Sequence, residues 1–179
     1  SIADQFIESL ADQASKVTLN YPNVREGHIG PLIFDKQADI IADHLIDAKE
    51  KGATIMTGGE IENHGGGKWV KPTVIKDVDH SMKVMTDETF GPVIPVMTYE
   101  KIEDAIELAN DTIYGLSAAV LGGSHEESSN IAKHIDAGAV TVQDCGATTY
   151  VFDGEKNWFK YSGIGASRMG EMGMLRFFR

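Results

Sequence analysis

Apolar residues at Ile2, Phe6, Ile7, Leu10 and Ala14 return at helical intervals, with Asp4, Glu8 and Asp12 on the other faces. That spacing predicts an amphipathic helix ending near Lys16. Residues 17–30 are punctuated by Asn, Pro and Gly and read as a loop. A second helix is predicted over 35–51, striped by Ala38, Ile41, Leu45 and Ala48 and stopped by Gly52. A short strand at 53–57 and a Gly58-Gly59 turn follow. Residues 69–78 alternate as a strand does, but Pro72 interrupts them and favours an edge or an extended loop.

The second half repeats the alternation of strand and helix. Ile102, Ala105, Ile106 and Ala109 share one face of a helix over 101–110, and Asn110-Asp111 and Tyr114-Gly115 mark its exit. A strand at 117–121 leads to the Gly122-Gly123 turn. Ser124 with Glu127 three residues on is a capping-box signature for a helix reaching about Ile135. Gly138 closes that helix and residues 139–142 begin another strand. Met169, Met172, Met174, Leu175, Phe177 and Phe178 predict a packed terminal helix rather than a partner-binding stripe, with part of it exposed as a former interface where an upstream domain is missing. Together these elements predict an α/β fold, a mostly parallel open sheet with flanking helices. A chain of 179 residues suits one domain.

Composition is that of an ordinary globular domain, 42% hydrophobic and 24% charged. Charge is unevenly spread. Residues 1–154 hold 11 Lys and Arg against 25 Asp and Glu, whereas from Glu155 onward there are five against two. An acidic body argues against a general nucleic-acid surface, while the basic tail, with Arg168 and Arg176, leaves room for an anionic ligand. One cysteine, Cys145, excludes an intrachain disulfide framework and fits a reducing, cytoplasmic setting. No apolar run approaches the ~20 residues that span a bilayer. The abrupt opening into a periodic segment reads as a fragment of a longer polypeptide.

Chemistry concentrates in Asp87-Glu88-Thr89-Phe90-Gly91-Pro92, followed by the apolar Val93-Ile94-Pro95-Val96. In an extended run Glu88 and Phe90 project to one side and present a carboxylate and a flat ring, which suits a sugar diol beside a heteroaromatic ring. Gly91-Pro92 would then turn the backbone. The same residues also fit a plain loop with a buried Phe and a solvated Glu. Asn63-His64-Gly65-Gly66-Gly67-Lys68 lacks the spacing of a phosphate loop and is expected to be a hairpin or surface loop. Six histidines include no pair at i, i+4, so metal binding is not expected and surface histidines are.

Asp87-Glu-Thr-Phe-Gly-Pro-Val, Ala109-Asn-Asp-Thr-Ile-Tyr-Gly-Leu-Ser-Ala-Ala-Val, Gly138-Ala-Val-Thr-Val and Lys160-Tyr-Ser-Gly-Ile-Gly occur in one order. In that order and spacing the chain resembles the catalytic domain of the NAD(P)-dependent aldehyde dehydrogenase superfamily. Gly30-Pro31 and Lys71-Pro72-Thr73-Val74 fall where that family has equivalent pieces, so the resemblance covers nearly the whole chain. It implies that Glu88 binds the ribose on the nicotinamide side of NAD or NADP and that Phe90 packs beside the nicotinamide. It also implies oxidation of an aldehyde by thiolate attack, hydride transfer and hydrolysis of the thioester by a Glu-activated water. The nucleophilic Cys, the base Glu and the dinucleotide-binding domain are expected upstream of Ser1, leaving this chain inactive alone. A homo-oligomer is implied for the full-length protein. The alternative is a non-catalytic homologue that acts as a binding or assembly module.

Asp144, Cys145 and Thr148 fall where the resemblance places a loop lining the aldehyde tunnel. Asp144 beside Cys145 disfavours a thiolate, so Cys145 is expected to be a tunnel-wall or buried residue rather than the nucleophile. Gln143 stands where the family usually has Asn, and Lys156-Asn157-Trp158-Phe159 where it usually has Pro-Phe-Gly-Gly. Trp158 and Phe159 are expected to pack rather than to fill a narrower tunnel. Gly163-Ile-Gly-Ala-Ser-Arg168 imitates a dinucleotide fingerprint but lacks the third Gly and the strand-to-helix setting.

Overall fold

Helix α1, Ala3–Ser15, buries Ile7, Ala11 and Ala14, one stripe at the 3.6-residue period. Helix α2, Asp35–Glu50, buries Ala38, Ile41, His44, Leu45 and Ala48 and ends at Lys51 before Gly52. The computed structural model describes residues 2–163, 169–175 and 178, apart from the side chain of Met172. Arg168, Arg176, Phe177, most of the Gly163–Arg168 stretch and the Met172 side chain thus lie outside the described residues.

Residues 1–98 form one compact unit and residues 99–179 a second. In the first, α1 and α2 precede β1 (Thr54–Thr57), β2 (Ile61–His64), β3 (Gly67–Val70), β4 (Thr73–Lys76), the short α3 (Lys83–Thr86) and β5 (Val93–Val96). β2 and β3 are a hairpin closed by Gly65 and Gly66, both at positive φ as a tight two-residue turn demands. Pro72 divides the expected 69–78 strand, and its two halves, β3 and β4, belong to different sheets. β4 lies between antiparallel β1 and parallel β5. Ile41, Leu45, Ala48, Val70, Ile75, Val78, Met82 and Val84 make the main core, and Val74 joins Ala11 and Ala14 beneath α1.

The second unit contains α4 (Ile102–Asn110), β6 (Tyr114–Gly115), β7 (Ser117–Val120), α5 (His125–Ala132), β8 (Ala139–Val142), α6 (Ala147–Tyr150), β9 (Phe159–Lys160) and α7 (Gly170–Leu175). Ser124 caps α5, its Oγ accepting from the Glu127 amide at 3.1 Å. α5 stops at Ala132, short of Ile135, because the amides of His134 and Ile135 bond three residues back and tighten the chain into a turn. β7 and β8 pair in parallel across α5, as a helical crossover requires, whereas β6 and β9 are antiparallel. The architecture is α/β with open sheets, and among the described residues the pairing is mixed: parallel at β4–β5 and β7–β8, antiparallel at the other three ladders. Strand-to-helix alternation alone does not reveal these antiparallel pairings, of which β2–β3 is a hairpin and β1–β4 and β6–β9 join strands distant in sequence.

Three packing expectations change, the first being that of Phe159, which is exposed rather than packed. Met174, Leu175 and Phe178 are exposed, and among the described side chains and glycines of α7 the buried residue is Gly173. His44 is buried, not a surface histidine. Trp158 does pack: its ring lies so close to Gly163 that a Cβ there would stand 2.7 Å from it. Among the described residues no helix is long and apolar enough to cross a membrane.

Candidate functional site

The Glu88–Phe90 arc is built from α2 and α3. The Asp87 amide bonds the Lys83 carbonyl at 2.8 Å, so the arc leaves directly from the end of α3. α3 is itself tied to α2: Asp47 accepts from the Lys83 amide at 2.8 Å and from Lys51 Nζ at 2.7 Å, while Lys83 Nζ reaches Asp43 at 2.7 Å. These bonds, that from Lys51 first, hold the Asp47 carboxyl below its usual range. Beyond the arc, Thr73 donates to the Pro92 carbonyl at 2.8 Å and β5 enters the sheet.

Thr89, at the centre, is half-buried and held twice from α2. Gln37 Nε2 donates to its carbonyl, and its hydroxyl is hydrogen-bonded to His44 Nδ1 at 3.0 Å. Glu88 and Phe90 on either side face solvent, Phe90 with 76% of its surface exposed. The extended path expected through Phe90 is not what forms. Phe90 is in the left-handed region at φ +46°, so the turn begins one residue before Gly91. Gly91 serves close packing, since a Cβ on it would stand 2.5 Å from Ile41 Cδ1. The simple alternation of side chains therefore does not apply, nor does a buried Phe. The arc offers instead an anchored backbone with a carboxylate and an uncovered ring on either side of its fixed point.

A second loop, in the other unit, carries Asp144, Cys145 and Thr148. Gln143 ends β8 at φ +58°, and its amide bonds both backbone groups of Gly122, at 3.1 and 2.8 Å. Thr141 Oγ1 donates to the Asp144 carbonyl. Asp144 Oδ1 accepts from the amides of Gly146 at 2.6 Å and Ala147 at 2.7 Å, so its side chain closes the turn that leads into α6. Cys145, between Asp144 and the Gly146 amide that Asp144 binds, is exposed rather than buried. Thr148 is half-buried and its carbonyl accepts from Lys156 Nζ.

Asn110 and the residues around Gly115 act as a structural knot. Asn110 donates to the His134 carbonyl at 2.8 Å and accepts from the Asp136 amide at 2.7 Å. Gly115 donates to Ser162 Oγ at 2.9 Å, and Lys160 Nζ to the Asn110 carbonyl at 2.8 Å. Sequence reasoning missed Gln37 and His44. Their signal was present in the stripe 37, 41, 44, which continues helical spacing through polar residues. Among the described residues no cluster of three or more His, Cys, Asp or Glu could hold a metal ion.

A family model, the aldehyde dehydrogenase family, matches residues 1–179. The chain is 36% identical over 177 residues to aminoaldehyde dehydrogenase 1, peroxisomal, of Pisum sativum, covering 97% of this chain and 34% of that protein. PutA of Anabaena variabilis, described as an aldehyde dehydrogenase, superposes with a TM-score of 0.97 at 51% identity, over 99% of this chain and 38% of that one. Betaine aldehyde dehydrogenase of Staphylococcus aureus, solved in complex with NAD+, superposes at 0.87 with 32% identity, over 98% and 35%. The chain thus spans about a third of the length of these relatives.

Proposed function

The chain belongs to the aldehyde dehydrogenase family, and from that premise we propose that it is the catalytic-domain portion of an NAD(P)-dependent enzyme oxidising an aldehyde to a carboxylic acid. The dinucleotide-binding domain and the reactive thiol belong, in this reading, to another part of the polypeptide. One observation carries the cofactor assignment: Glu88 and Phe90 are exposed on an arc whose centre, Thr89, is held by two hydrogen bonds. An exposed phenyl ring on an anchored backbone is a surface prepared for a flat partner.

The donor set fits a nicotinamide dinucleotide. A carboxylate accepts from two neighbouring hydroxyls, which is what Glu88 offers a ribose, and the Phe90 face suits a ring beside it. When bound, the dinucleotide supplies the hydride acceptor. Residues of this chain hold and orient it. Asp144, Cys145 and Thr148 are assigned to the approach of the aldehyde, with Asp144 shaping the loop through its bonds to the Gly146 and Ala147 amides. Both NAD and NADP are admitted. A reducing cytoplasm is the compartment proposed, since the chemistry depends on a free thiol.

The test is dinucleotide titration and aldehyde-dependent NADH or NADPH formation with the full-length protein. Glu88→Gln and Phe90→Ala are expected to weaken dinucleotide binding about tenfold or more, as lost polar and ring contacts do. Their unfolding midpoints should stay put, because both side chains are exposed. Unchanged affinity in both variants would falsify the assignment. Residues 1–179 alone are expected to give no turnover, and turnover abolished by Cys145→Ser would overturn that expectation.

A further inference from the structure

We propose that His44 is a positioning residue for the dinucleotide, acting through Thr89 on the arc that presents Glu88 and Phe90. The inference rests on the reading of that pair as cofactor contacts. His44 is 4% exposed in the middle of α2, where a polar ring needs a partner. Its Nδ1 lies 3.0 Å from Thr89 Oγ1, and Gln37, two turns earlier on the same face, donates to the Thr89 carbonyl. Thr89 is therefore gripped at both of its polar ends, the side chain and the backbone.

The grip is not what attaches the arc to the fold. Gly91 against Ile41 and Thr73 donating to the Pro92 carbonyl already do that. The two bonds to Thr89 instead restrict rotation of residues 88–90. A non-glycine residue at positive φ, as Phe90 is, persists when its surroundings hold it there. Releasing Thr89 leaves the arc attached but frees Phe90 to relax, and the bound geometry must then be selected from several. That loss falls on cofactor affinity and not on the chemical step.

The experiment uses the full-length protein, with calorimetric titration by NAD+ and by NADP+ and initial-rate kinetics. His44→Ala and Thr89→Val are each expected to raise Kd and KM for the dinucleotide about tenfold, with kcat within about twofold. His44→Asn, which keeps a polar atom near the Nδ1 position, should restore Kd to within about threefold of wild type. The double variant should be no worse than either single one, because both remove one interaction. A merely structural histidine predicts a lower unfolding midpoint with unchanged Kd, and that result overturns the proposal. Should His44→Ala fail to fold, Thr89→Val, at a half-buried loop position, decides alone. A wild-type protein that binds neither dinucleotide removes the cofactor reading and this inference with it, whereas wild-type binding shared by every variant removes only the inference.

Discussion

A methyl group placed on Gly91 would stand 2.5 Å from Cδ1 of Ile41, a side chain with no solvent exposure. Gly91→Ala must therefore push a core isoleucine or lift the arc, at a cost of about 1–3 kcal/mol typical of overpacking. Urea unfolding of residues 1–179 measures it. Ile41→Val removes the clashing atom, so the double variant should lose less than the sum of the singles. Additive losses would mean that the arc, not the core, gives way.

Asp47 makes the link between α2 and α3 sensitive to acid. Its carboxyl is held below the usual carboxylate range in the folded state, through the Lys51 hydrogen bond first and the Lys83 amide second. A depressed carboxyl contributes stability above its unfolded pKa and loses it as pH falls through the folded value. Asp47→Asn should thus be less stable than wild type near neutral pH, with the difference closing below about pH 4. Unfolding midpoints across that range test it, and a difference independent of pH would contradict it.

Asn110→Ala removes both bonds that tie the end of α4 to the 134–136 turn. The expected loss is about 1–3 kcal/mol, since two backbone groups lose their partner. Denaturant midpoints and faster amide exchange at Asp136 would report it. Wild-type protection at that amide would show that another group holds the turn.

Ser128 is fully buried, and among the described residues its Oγ has no hydrogen-bond partner. Ser128→Ala is accordingly expected to be neutral, or to stabilise by up to about 1 kcal/mol, because no bond is lost and a desolvated hydroxyl is removed. A loss of more than about 1 kcal/mol in thermal unfolding would show that the hydroxyl has a partner.

Sequence alone determined what depends on near neighbours. The apolar stripes of α1 and α2, the Ser124 cap of α5, the Gly65-Gly66 turn and the family motifs are local patterns, and the chain carries them wherever it goes. Tertiary structure decided what depends on distant partners. Thr89 meets Gln37 and His44 across 52 and 45 residues, and no periodicity around residue 89 reports a helix that far away. That contact buries a histidine read as a surface residue, and the Gly91–Ile41 packing accompanies the early turn at Phe90. Pro72 likewise divides one alternating run between two sheets, because β3 pairs with β2 whereas β4 pairs with β1 and β5. Glu88 and Phe90 could be picked out from their residue types, but the reason they face outward lies in the residue between them and the helix that holds it.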